Sequence, residues 1–93
     1  MKKYIVRGDR SGVFYGEIKE RNGSEVTMTN CRRLWYWEGA NSLSQLAQLG
    51  TSIPQKCKFT VAVDELTVLD AIEIDKCSDA AIKIIDEVPQ WIR

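Results

Sequence analysis

Histidine is missing from the chain altogether, and its absence removes Ser-His and Cys-His nucleophilic pairs along with every metal site that needs an imidazole. Most hydrolase designs go with it. Cysteine is scarce: Cys31, Cys57 and Cys77 are odd in number, far apart and never in a C-x-x-C pair. Neither a disulfide framework nor a zinc ribbon is expected, and the three read as small buried hydrophobes. No run approaches the roughly 20 consecutive apolar residues that span a bilayer. The N-terminal stretch Met1-Lys2-Lys3-Tyr4-Ile5-Val6-Arg7 is interrupted by charge before a signal-peptide core forms. The expectation is a cytoplasmic protein that avoids membranes. A P-loop and a dinucleotide fingerprint are also lacking, because Gly8, Gly12 and Gly16 are evenly spaced but do not form G-x-G-x-x-G; they read as loop and strand-bulge glycines.

Net charge is absent too. Thirteen basic residues balance thirteen acidic ones, which disfavours nucleic-acid binding driven by phosphate neutralisation. The charges are nevertheless segregated, with eight basic residues against four acids in residues 1–33 and five against nine in the remainder. Such asymmetry makes an anion-attracting surface on a neutral protein, or lets two copies attract one another. The acids Asp64, Glu65, Asp70, Glu73 and Asp75 lie close enough in sequence to suggest a magnesium site. Acids alternating with apolar residues on a strand are ordinarily its wet face, however, and no D-x-D-x-D-G loop is present. No metal, no cofactor and no enzymatic activity are therefore expected.

What remains is one ordinary globular composition, 44% hydrophobic and 28% charged over 93 residues, long enough for one core and one domain spanning 1–93. Tyr4–Arg7 and Val13–Glu20 read as strands separated by the turn-rich Gly8-Asp9-Arg10-Ser11-Gly12. Asn22-Gly23 signals a hairpin with a type I′ turn. Glu25 to about Trp37 continues as a long strand, with Val26 and Met28 on one face and Thr27, Thr29 and Cys31 on the other. Ser42-Leu43-Ser44-Gln45 has the capping-box form and opens a short amphipathic helix that Gly50 ends. Lys58–Val63 is expected as a half-buried strand, Asp64-Glu65 as a turn, and Leu66–Ile74 as a strand whose break at Asp70 suggests a bulge or an edge. Ser78 caps a last helix that Pro89 stops. The order βββ-α-ββ-α predicts an α+β fold, a mostly antiparallel five-stranded sheet or small barrel with two short helices.

One segment concentrates binding chemistry. Cys31-Arg32-Arg33-Leu34-Trp35-Tyr36-Trp37-Glu38-Gly39-Ala40 holds two arginines and three aromatics, and guanidinium forks grip phosphates while aromatic faces stack on planar rings. On a strand, Arg33, Trp35 and Trp37 share one face and Arg32, Leu34 and Tyr36 the other. Ser42 opens an anion-receptive helix terminus, and Arg7, Arg10 and Tyr15 approach if the first hairpin packs alongside. The candidate ligand-binding residues are thus Arg7, Arg10, Tyr15, Arg32, Arg33, Trp35, Tyr36, Trp37 and Ser42. The competing reading makes the indoles core and lets the arginines snorkel outward. Trp91, near Pro89, is expected to pack the last helix.

Three stretches carry a resemblance: Val6-Arg7-Gly8-Asp9-Arg10-Ser11-Gly12-Val13-Phe14, the run from Arg32 through Ala47, and Cys57-Lys58-Phe59-Thr60-Val61-Ala62-Val63. Together they resemble a family of small bacteriophage and prophage proteins sharing the pattern R-R-L-W-Y-W-x-G-A-x-S-L-x-x-L-A. The resemblance implies a phage protein acting in the host cytoplasm, of the kind used in counter-defence. The resulting expectation is a homo-oligomeric sponge that sequesters a nucleotide immune signal, a cyclic nucleotide or an ADP-ribose derivative. The alternatives are a module that inhibits a host protein and a single-stranded nucleic-acid binder.

Overall fold

The computed structural model describes residues 2–93. Three consecutive antiparallel strands form its centre: β1 (Tyr4–Gly8), β2 (Val13–Asn22) and β3 (Glu25–Tyr36). The β2–β3 turn is Gly23-Ser24 rather than Asn22-Gly23. Asn22 pairs with Glu25, and only Gly23, at φ +63°, takes the left-handed conformation, the pattern of a hairpin with glycine at its first turn position.

Helix α1 (Leu43–Leu49) begins where expected. Ser42 Oγ accepts the Gln45 amide at 3.1 Å, but Gln45 Oε1 reaches one residue further back than a capping box, to the Asn41 amide at 3.1 Å. Gly50, at φ +76°, closes the helix. After a 3₁₀ turn at Pro54–Lys56 the chain makes β4 (Lys58–Phe59), β5 (Val63–Val68), β6 (Ala71–Lys76) and α2 (Asp79–Asp86). Asp64 and Glu65, expected in a turn, lie inside β5, where Glu65 pairs with Lys19 at 2.9 Å. The chain reverses instead at Leu69-Asp70, between β5 and β6. There are therefore six strands, not five.

The sheet runs β4-β3-β2-β1-β6, all antiparallel, with β5 added beside the first half of β3. Because β5 attaches to β3 and β6 to β1, the sheet curls around one cluster of side chains and stays open; it is not a barrel. That cluster is Val6, Phe14, Val26, Met28, Cys31 and Val68. The opposite face is covered by α1 and α2, which bury Leu46, Ala81 and Ile85 against Ile5, Tyr15, Leu34 and Phe59. Ser78 joins the two helices, accepting the Ala81 amide at 3.0 Å and donating to the Gln48 carbonyl at 2.6 Å.

A bulge in β3 sets the facing of the residues from Cys31 to Leu34, before a second irregularity at Leu34–Tyr36. Thr29 pairs with Glu17 and Arg32 with Tyr15, so Asn30 and Cys31 together oppose Gly16. Asn30 carries the strain at φ +48°. A side chain on Gly16 would press on the Thr29 and Asn30 carbonyl oxygens at 2.8 and 2.9 Å. The extra residue moves Cys31 onto the face of Val26 and Met28, opposite to the strict-alternation expectation, and turns Arg32 toward the helices.

Candidate ligand-binding site

The two neighbouring arginines have opposite fates. Arg32 is buried, and its guanidinium donates to four backbone carbonyls: Thr60 at 2.9 Å, Ile85 at 3.1 Å, Phe59 at 3.1 Å and Pro89 at 3.3 Å. It also lies 5.6 Å from the Phe59 ring centroid. Burial lowers its pKa, while nearby Asp86 and Tyr15 oppose that shift. Its N–H fork is committed to holding the end of α2 and the edge strand β4 onto β3, away from the groove that Arg33 lines.

Arg33 faces the other way. Its guanidinium stands 4.5 Å from the Phe14 ring centroid and donates through Nη1 to the Ser11 carbonyl. Among the described residues, its remaining N–H groups have no protein acceptor. It lines an open groove of about 330 Å³ with Arg10, Gly12, Val13, Trp35 and Trp37. No carboxylate lines this groove, where two arginines and two tryptophans meet; Asp70 lines the neighbouring cavity that Arg10 and Arg33 share. Trp35 is 61% exposed and held parallel to Trp91, with ring centroids 6.3 Å apart and an interplanar angle of 3°. Trp37 is half-buried and packs against the core beneath the helices. It is also a wall of an adjoining cavity of about 440 Å³.

That second cavity collects Arg7, Ser42 and Leu43. It differs electrostatically, since Glu73 lines it and pairs in register with Arg7. Glu73 is itself raised above the ordinary carboxylate value, mainly by its hydrogen bond with Asp75. The Ser42 hydroxyl is occupied, donating to Asn41 Oδ1 at 2.8 Å and accepting from Gln45. Arg7 and Ser42 therefore border the groove without joining it.

Two further expected contacts lie elsewhere. The Tyr15 ring is buried on the helix side, and its hydroxyl donates to Asp86 at 2.8 Å. Burial and that bond push its pKa far above the ordinary phenol value. Tyr36 follows a second irregularity of β3 that pairs it with Lys58 and breaks the expected alternation with Trp35; its hydroxyl is on Glu38 at 2.7 Å, and Lys58 lies 5.7 Å from its ring centroid and 5.6 Å from that of Trp91. Of nine nominated residues, the structure thus gathers Arg10, Arg33, Trp35 and Trp37. Trp91 was expected only to pack the last helix, yet it backs Trp35; its position after Pro89 gave no sign of the partner. Among the described residues, no group of three or more His, Cys, Asp or Glu side chains is placed to hold a metal. No helix there is long and apolar enough to cross a membrane.

The profile of one protein family, described as a domain of unknown function (DUF6948), matches residues 1–85. The chain belongs to this family. Neither the curated proteins nor the solved structures yield a match. All four groove residues fall inside the matched DUF6948 segment, whereas Trp91 lies beyond it.

Proposed function

We propose that this DUF6948 protein is a non-catalytic binding domain that captures a nucleotide-class ligand in the groove between Arg10, Arg33, Trp35 and Trp37. The observation that carries the reading is the meeting of two arginines and two tryptophans around one open cavity. Phosphate oxygens take the N–H groups of Arg33 and Arg10, and a flat base stacks on the exposed Trp35 ring. Sequestration of an immune signal, a cyclic nucleotide or an ADP-ribose derivative, is the role that the phage resemblance adds.

Stoichiometric capture needs tight binding, and a nanomolar site corresponds to about −12 kcal/mol. Stacking contributes about 1–3 kcal/mol per base, and charge-assisted hydrogen bonds about 1.5–3 kcal/mol each. Two rings and three such bonds approach that value only if the groove is already shaped before the ligand arrives. Self-association belongs to the same proposal: Leu69 and Ile72, 66% and 61% exposed, supply apolar surface for it.

The test is capture from an infected-cell lysate followed by washing, heat release and mass spectrometry of small molecules. A nucleotide released by the wild-type protein, and missing from folded Arg33→Ala and Trp35→Ala variants, supports the reading. A co-purifying host protein with no small molecule favours the second reading, inhibition of a protein partner. That reading draws on the exposed Trp35, Tyr36 and Ile92, aromatic and apolar groups of the kind that dominate protein interfaces.

A further inference from the structure

We propose that Asp70 is the positioning residue of the groove: its carboxylate latches the Gly8–Gly12 loop in the one shape that presents Arg10 and fixes Arg33. The inference rests on the binding reading above. Asp70 interrupts an apolar strand pattern from the turn between β5 and β6, and it sits opposite the β1–β2 loop. One oxygen accepts the Arg10 amide at 2.8 Å and the Ser11 amide at 3.2 Å, and the other accepts the Ser11 hydroxyl. Its backbone carbonyl takes the Asp9 amide at 2.9 Å. The loop so held turns the Ser11 carbonyl toward Arg33 Nη1. A chain of contacts therefore runs from Asp70 through Ser11 to the guanidinium in the groove.

The loop sequence is built around this latch. A Cβ on Gly8 would collide with Ser11 Oγ and come within 2.7 Å of Asp70 Oδ1. Gly12 holds φ +116°, and a Cβ there would lie 3.0 Å from Arg33 Nη1. Glycine at both ends admits the carboxylate on one side and the guanidinium on the other. Two glycines lower the loop's intrinsic stiffness; a bond from the Gly8 amide to the Gly12 carbonyl at 2.8 Å closes its base, and Asp70 holds its tip. The hydrogen bonds hold Asp70 below the ordinary carboxylate value, the Ser11 hydroxyl contributing most, as for a carboxylate that works ionised.

Asp70→Ala and Asp70→Asn are compared with wild type by amide hydrogen exchange and by titration with ADP. Exchange at Arg10 and Ser11, whose acceptor is the side chain, accelerates at least tenfold in Asp70→Ala. The Asp9 amide, bonded to the backbone of Asp70, stays protected. Affinity for ADP falls about tenfold, and Asp70→Asn, which keeps one acceptor oxygen, lies between. Ser11→Ala retains the Ser11 carbonyl and loses only one bond, and it gives a smaller loss in a variant that folds. Unchanged protection at Arg10 and Ser11 overturns the latch whatever the ligand does. A loosened loop with unchanged ADP affinity overturns the positioning role and leaves the groove reading intact. Failure of wild type to bind ADP overturns both the groove as an ADP site and this role in it.

Discussion

Replacing Arg32 by methionine removes the guanidinium but keeps an aliphatic stem over Phe59, so it isolates the four hydrogen bonds to the chain. Two of the acceptors, the Ile85 and Phe59 carbonyls, make buried bonds, and two, Thr60 and Pro89, make part-buried ones that water can replace. The Phe59 and Ile85 carbonyls keep a second donor each, the Trp91 and Val88 amides, so the loss is that of the charge-assisted bonds themselves, about 1.5–3 kcal/mol for each buried one. Relief from burying a charge offsets part of that, as the lowered Arg32 pKa indicates. The net loss is about 3 kcal/mol. For a domain of this size that corresponds to a fall in Tm of roughly 12–24 °C, and it is a large share of a total stability of about 5–14 kcal/mol. Arg33→Met removes one hydrogen bond and a cation–π contact, a loss of about 1 kcal/mol. Urea unfolding followed by far-UV circular dichroism measures both, at constant m-value. Equal midpoints for the two variants would refute the division of labour between the neighbouring arginines.

Gly16→Ala should lose about 2–3 kcal/mol in thermal denaturation, because the added methyl meets backbone oxygens across the bulge rather than a side chain that can rotate away. Trp35→Ala should change stability by no more than about 1.5 kcal/mol, the scale of one aromatic stack, since its ring is mostly exposed; the same melts report it. Burial pushes the Cys31 and Cys77 thiols up to about 11. Unfolded thiols ionise near 8.5, so their contribution to stability is complete below that pH and is lost as pH rises through it toward 11. Melting temperatures at pH 7, 9 and 10.5 should fall in that order, and a flat profile would contradict the burial. All three cysteines should react with a disulfide reagent only as fast as the protein unfolds, because each is buried.

The sequence made the local signals legible and the long-range ones obscure. Ser42, Ser78 and Gly50 mark their helix ends because capping is decided within a few residues of chain. The Asn22-Gly23 pair announced the hairpin but not its register, which the flanking strand pairing moved by one residue. Strict alternation misassigned Cys31 because the bulge at Asn30 depends on Gly16, a residue on another strand. Asp64 and Glu65 resembled a turn because they are polar and adjacent, yet an open strand edge tolerates the same residues.

The arginine-aromatic run was recognisable as a candidate site from composition alone. Which arginine serves it was not, since Arg32 and Arg33 differ only in the face the bulge gives them. Asp70 showed itself as a break in an apolar pattern. Its partners, Arg10 and Ser11, lie about sixty residues away and could not be read from spacing.

Titration of the tryptophan fluorescence of the purified wild-type protein with ADP-ribose and with cyclic nucleotides bears most directly on the groove, because Trp35 and Trp37 are two of its walls. Saturable quenching by at least one of them is expected, lost in Arg33→Ala and retained in Arg7→Ala, whose side chain lies outside the groove. Absence of quenching by the whole set, or quenching that survives loss of both Arg33 and Arg10, would contradict the account.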